Sequence, residues 1–119
     1  MGYRANKVDR RYNDWHYSLS KRCEYMDLDG VEFNQSRDAL LLLEVTSNPE
    51  KYTTVLRRLA QKAGLPAVLV MIPPAPEPLL STTEIIVTVV WCPPETNAPP
   101  HGRMTLSAWG EYLEQLHAE

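Results

Sequence analysis

Residues 39–46 read Ala-Leu-Leu-Leu-Leu-Glu-Val-Thr, an apolar run broken only near its end by Glu44. A run of this length, entered from a polar turn, has the pattern of a strand covered on both faces. A carboxylate inside such a run is costly. Burying it unpaired costs several kcal/mol or forces protonation, so an acid there faces a metal, a cation or a solvent-filled cleft. This one stretch therefore calls for a layered sheet and for a partner to Glu44.

The stretch before it, from about Cys23 or Glu24 to Phe33, reads as a first strand interrupted at Gly30, and residues 34–38 (Asn-Gln-Ser-Arg-Asp) supply the turn between the two. Alternate side chains of a strand share a face, so Asp27 and Asp29 point one way and Glu32 the other, while Leu42, Glu44 and Thr46 share a face of the second run. Acids from neighbouring strands can then meet, and two of them beside Glu44 suggest a metal. The same residues equally suit an exposed strand end and a hairpin rim, because acidic side chains are mostly solvated surface groups.

Around this hairpin the chain alternates in period. From Asp9 to Cys23, the residues Tyr12, Trp15, Leu19 and Cys23 recur at helical spacing. Asn48, Pro49 and Glu50 form a helix start, with Asn48 able to cap the first amides. Tyr52, Val55, Leu56, Leu59, Ala60 and Ala63 continue it as a buried stripe that Gly64 and Pro66 end. Ala67 to Ile72 is a short apolar strand, predicted to run parallel to the Glu44 strand because a helix separates them. A proline-rich connector over 73–78 leads to a last strand from Glu84 to Trp91, and a second one over 93–100 to a helix carrying Leu106, Trp109, Leu113 and Leu116, capped by Thr105 or Ser107. The predicted order is α-β-β-α-β-β-α, an α/β (α+β) fold with a mixed central sheet flanked by helices.

With 119 residues the chain makes one domain, 1–119, and can bury roughly two-thirds of its unfolded surface. No apolar run reaches the roughly 18 residues that span a bilayer, and the polar start lacks the features of a signal peptide, so a cytoplasmic protein with no membrane partner is expected. Cys23 and Cys92 form no metal-ligand pairing and are expected reduced and buried; His16, His101 and His117 have no ligand spacing. The net charge of −3 conceals an asymmetry. Residues 1–22 hold Arg4, Lys7, Arg10, Arg11, Lys21 and Arg22 against Asp9 and Asp14. A basic arm ahead of an acidic cluster suits phosphate binding beside a metal, and equally suits a solvated helix face.

Trp15-His16 ahead of Tyr25-Met26-Asp27-Leu28-Asp29-Gly30-Val31-Glu32-Phe33, the apolar strand ending Glu44-Val45-Thr46, the helix after it, and Gly64-Leu65-Pro66-Ala67 leading into the next strand together resemble the PD-(D/E)xK nuclease superfamily, and most closely small nuclease-like proteins of phages and prophages. The resemblance covers about residues 12–72. It implies a single-domain PD-(D/E)xK-like core in which Asp29, with Asp27, and Glu44 hold Mg2+ or Mn2+, with the Val45 carbonyl as a further ligand. Such a metal polarises a scissile phosphate and lowers the pKa of a bound water for phosphodiester hydrolysis. The family's lysine position is Thr46 here, whose hydroxyl carries no positive charge. Lys51, Arg57, Arg58 and Lys21 are candidates to replace that cation, and Gln61 is similar to a helix glutamine that contacts DNA or the site in related nucleases.

Two functions follow as expectations. One is a metal-dependent DNA endonuclease, phage or mobile-element derived, with Arg10, Arg11, Lys21, Arg22, Arg57 and Gln61 on the nucleic acid. The other is a catalytically inactive nuclease-fold module that binds DNA or a host or phage protein, such as a nuclease or defence complex. A homodimer formed through Trp91 and Trp109 is a further expectation.

Overall fold

The apolar run is an interior strand. In the computed structural model, which describes residues 11–118 apart from 13, 17, 23–27, 75 and 77, it forms β2 (Ala39–Thr46) of a five-stranded mixed sheet. β1 (Gly30–Phe33), β2, β3 (Ala67–Met71), β4 (Glu84–Trp91) and β5 (Gly102–Thr105) lie side by side in chain order. β2 and β3 are parallel, with helix α1 (Thr54–Ala63) between them in the chain, and the other neighbouring pairs are antiparallel. Helix α2 (Leu106–His117) follows β5.

Both faces of β2 are covered, as its composition requires. On one face Leu42 and Ala67 pack with Leu56 and Ala60 of α1, joined by Leu28, Leu65, Val90 and Trp91. On the other, Leu41, Val68, Val70, Ile85 and Val87 pack with Trp109 of α2, joined by Leu43, Tyr112, Leu113 and Leu116. Trp109 is only 6% exposed and stacks on Tyr112, so its indole is enclosed within the chain's own core; Trp91 is half-buried on the α1 side.

Local chemistry explains the punctuation. Arg37 takes a left-handed φ of 71° in the β1–β2 turn, which is closed by Asn34: its carbonyl accepts from the Arg37 amide and its side chain from the Asp38 amide. Gly64 ends α1 with φ 70°, donating its amide to the Ala60 carbonyl at 2.8 Å. Thr105 caps α2 through its hydroxyl, which accepts from the Ala108 amide at 3.1 Å.

The structure departs from the sequence reading in five places. β1 begins at Gly30 instead of being interrupted there, with Leu28 and Asp29 ahead of the strand and residues 23–27 outside those described. α1 begins at Thr54 rather than at Pro49, because the Asn48 side chain accepts from the Glu50 amide and the Asn48 carbonyl from that of Lys51, which holds a turn ahead of the helix. Tyr52 therefore lies outside the helix at 91% exposure, and Val55 and Leu59 are exposed as well. Gly102–Thr105 adds a strand after the one expected to be last: β5 pairs with β4, and alternation of half-buried and exposed positions over four residues is too short to read in sequence. The first helix covers residues 11, 12 and 14–16 among those described and turns at Ser18, so Leu19 lies beyond it, and Tyr12 and Trp15 are about half exposed instead of buried.

Candidate metal centre

The hairpin register brings the two described acids together. Gly30 pairs with Leu43 and Val31 with Leu42, so one step back Asp29, just ahead of β1, stands opposite Glu44. Oδ2 of Asp29 accepts the Val45 amide at 2.8 Å, which pins the carboxylate against the end of β2. The Asp29 side chain raises the Glu44 pKa, and the Asp29 backbone lowers it.

Glu44 is 3% exposed, and its Oε2 is a buried carboxylate oxygen with no hydrogen-bond partner. Burial first, then the bond to Asp29 and the repulsion from its charge, push the Glu44 pKa from an ordinary 4.5 up to about 7, against the opposing pull of Lys51. The Lys51 ammonium lies 3.9 Å from Oε2, beyond hydrogen-bond reach and partly open to solvent.

Lys51 is brought there by the turn that delays α1. The hydroxyl of Thr46 accepts the Asn48 amide at 2.9 Å, Oδ1 of Asn48 accepts the Glu50 amide at 2.9 Å, and the Asn48 carbonyl accepts the Lys51 amide at 3.3 Å. Thr46 therefore builds the loop that returns a lysine to Glu44. Because Leu42, Glu44 and Thr46 alternate onto the α1 side of the sheet, that loop lies on the same side as the acid.

The remaining candidates separate by face and exposure. Glu32 is on the opposite side of the sheet, with Oε1 2.7 Å from Nε2 of His117 near the end of α2. Arg11, Lys21, Arg22, Arg57 and Gln61 are all exposed, and Arg57 and Gln61 stand one turn apart on α1. Arg10 and Asp27 lie outside the described residues, as does Cys23. Cys92 is a free, half-buried thiol beside the Pro93 carbonyl and the Thr96 hydroxyl.

No protein-family model, curated protein or solved structure matches the chain.

The donor set fits a hard divalent cation. A buried carboxylate oxygen without a hydrogen bond, beside a second carboxylate and with an ammonium only at 3.9 Å, is an electrostatic deficit that Mg2+ or Mn2+ can fill, and magnesium commonly takes one or two carboxylates and completes its shell with water and substrate phosphate. Among the described residues there is no cluster of three or more His, Cys, Asp or Glu side chains placed as metal ligands, so the set rests on Asp29 and Glu44. Val45 contributes its amide to this arrangement by orienting Asp29.

Sequence spacing pointed to neither histidine contact. His117 meets Glu32 across 85 positions of chain, and Nδ1 of His101 accepts the Val89 amide at 3.0 Å, which assigns its proton to Nε2. Only the packing of α2 and the return of β5 create these pairs.

Proposed function

We propose that the chain is a metal-dependent DNA endonuclease with a PD-(D/E)xK-like core, in which Asp29 and Glu44 hold Mg2+ or Mn2+ and Lys51 replaces the strand lysine that is Thr46 here. The observation that carries this reading is the buried Oε2 of Glu44, which accepts no hydrogen bond and has the Asp29 carboxylate and, at 3.9 Å, the Lys51 ammonium beside it. The arrangement of a hairpin bearing both acids, then α1, then a strand parallel to β2 suits such a core.

When bound, the metal supplies Lewis-acid polarisation of a phosphoryl oxygen and a more acidic water. The protein groups do the rest. Glu44 presents its carboxylate from β2 and Asp29 from the position just ahead of β1, in a register set by main-chain pairing. The Val45 amide holds Asp29 in place and lessens its freedom to turn away. Lys51, on its loop, offers a positive charge to the phosphate as negative charge develops there. Arg57 and Gln61 offer a cation and an amide to the backbone of the nucleic acid.

Plasmid nicking in Mg2+ or Mn2+ tests the reading. The expected result is cleavage that Glu44→Gln and Asp29→Asn abolish and Lys51→Ala reduces by about 10²–10³, the range for loss of one stabilising group. Calorimetry should show a divalent ion binding the wild type and not Glu44→Gln. If metal and DNA bind and nothing is cut, the inactive binding module replaces the enzyme. The uncharged Thr46 hydroxyl, engaged with the Asn48 amide, is the observation that favours that second reading.

A further inference from the structure

The basic arm carries two large aromatic rings that are half exposed. Tyr12 and Trp15 are three residues apart among the helical residues 11, 12 and 14–16, and so share a face; they are 50% and 53% exposed, with ring centroids 5.5 Å apart. The His16 ring is 6.4 Å from each. Arg11, Lys21 and Arg22 are exposed in the same segment. Trp109, by contrast, is almost wholly enclosed. Residues 1–22 hold four more cations than acids in a chain whose net charge is −3, so this end attracts a polyanion while the remainder repels one.

From these rings and charges we infer that Tyr12 and Trp15, with Arg11, Lys21 and Arg22, form a stacking platform for unpaired bases, and that the nucleic acid engaged here is single-stranded. The inference rests on the proposed nucleic-acid function and narrows its substrate class. Cations alone do not distinguish the forms, since both present phosphates. Aromatic faces do. In a duplex the base faces are already stacked on one another, whereas a single strand can lay its bases on tyrosine and tryptophan rings while lysine and arginine follow its backbone. An acidic protein surface would answer the cations alone.

The test is binding without chemistry. Labelled oligo-dT and a duplex of equal length are titrated into the full chain in EDTA, with anisotropy and tryptophan emission as readouts. Oligo-dT should bind at least about fivefold more tightly than the duplex and quench the exposed indole. Tyr12→Ala and Trp15→Ala should each weaken oligo-dT by at least about fivefold, and Trp15→Phe should keep the affinity while losing the quench. Replacing Lys21 and Arg22 together by alanine should flatten the dependence of log K on log salt by about 0.7 per charge. Duplex binding as tight as oligo-dT, unchanged affinity in folded Tyr12→Ala and Trp15→Ala, or binding of polyglutamate in place of both nucleic acids overturns the inference. Should Trp15→Ala not fold, the Trp15→Phe emission decides: a quench that survives the loss of Trp15 counts against the platform. Cleavage assays separate the two readings: oligo-dT binding through the rings without any cleavage removes the enzyme and leaves the platform, while cleavage with indifferent rings does the reverse.

Discussion

Replacing Glu44 by glutamine tests the electrostatics of the centre with little change of shape. The folded-state pKa of Glu44 is raised from 4.5 to about 7, so between those values the native state holds a proton that the unfolded chain releases. Glu44's contribution to stability is then fully present below about pH 4.5 and is lost as pH rises through about 7. The full rise corresponds to about 3 kcal/mol. Asp29 is exposed, so solvent screens part of its repulsion, and the expected loss is about 1–2 kcal/mol.

Glutamine mimics the protonated acid, so in EDTA at about pH 8 Glu44→Gln should be about 1–2 kcal/mol more stable than wild type, with the difference vanishing towards about pH 4.5. Urea denaturation monitored by fluorescence measures both, provided the slope with urea stays the same in the two proteins. Added Mn2+ should reverse the order by stabilising the wild type alone, because only the carboxylate draws the ion. A variant less stable than wild type in EDTA at high pH, or a wild-type stability that does not fall across this range, would refute the reasoning.

Thr46→Lys places an ammonium two residues from Glu44 on the same strand face and removes the acceptor of the Asn48 amide, so plasmid nicking should rise if Lys51 is only a partial substitute and stay unchanged if Lys51 already serves fully. Gly64→Ala should destabilise by about 1 kcal/mol in thermal unfolding: nothing lies within 4 Å of the added methyl, so the cost is the left-handed φ alone. Thr105→Ala should lose about 1 kcal/mol by removing the α2 cap, measured the same way. A double-mutant cycle on Glu32 and His117 should give a coupling of about 0.5–1 kcal/mol, modest because both groups are partly solvated, and a coupling of zero would mean that the 2.7 Å contact is not maintained in solution.

Much of this architecture is written locally. Four consecutive leucines in residues 40–43 require cover on both faces, and the structure supplies α1 on one and α2 on the other. The polar residues 34–38 set a turn, and alternation places Glu32 on the opposite face from Asp29, but the register that brings Asp29 opposite Glu44 comes from the irregularity between Glu32 and Phe33: counted straight back from Phe33 opposite Ala39, Asp29 would face Leu43. Gly64 and Pro66 end α1 where they stand in the sequence, since a left-handed cap and a missing amide act on their immediate neighbours.

Other features depend on distance in space. Asn48-Pro49-Glu50 has the composition of a helix start, yet Asn48 supports a turn instead, since its side chain can bond a local amide in either structure and packing selects which. That choice brings Lys51 to 3.9 Å from Glu44, a distance that depends on a seven-residue loop folding back over the end of β2. β5 is four residues long, too short for a period of two to stand out, and exists because β4 offers it an edge. Trp109 had the same helical signature as Trp15, and only the tertiary structure places one in the core and the other half in solvent, because an apolar stripe states that a face can be buried and the sheet determines whether anything covers it.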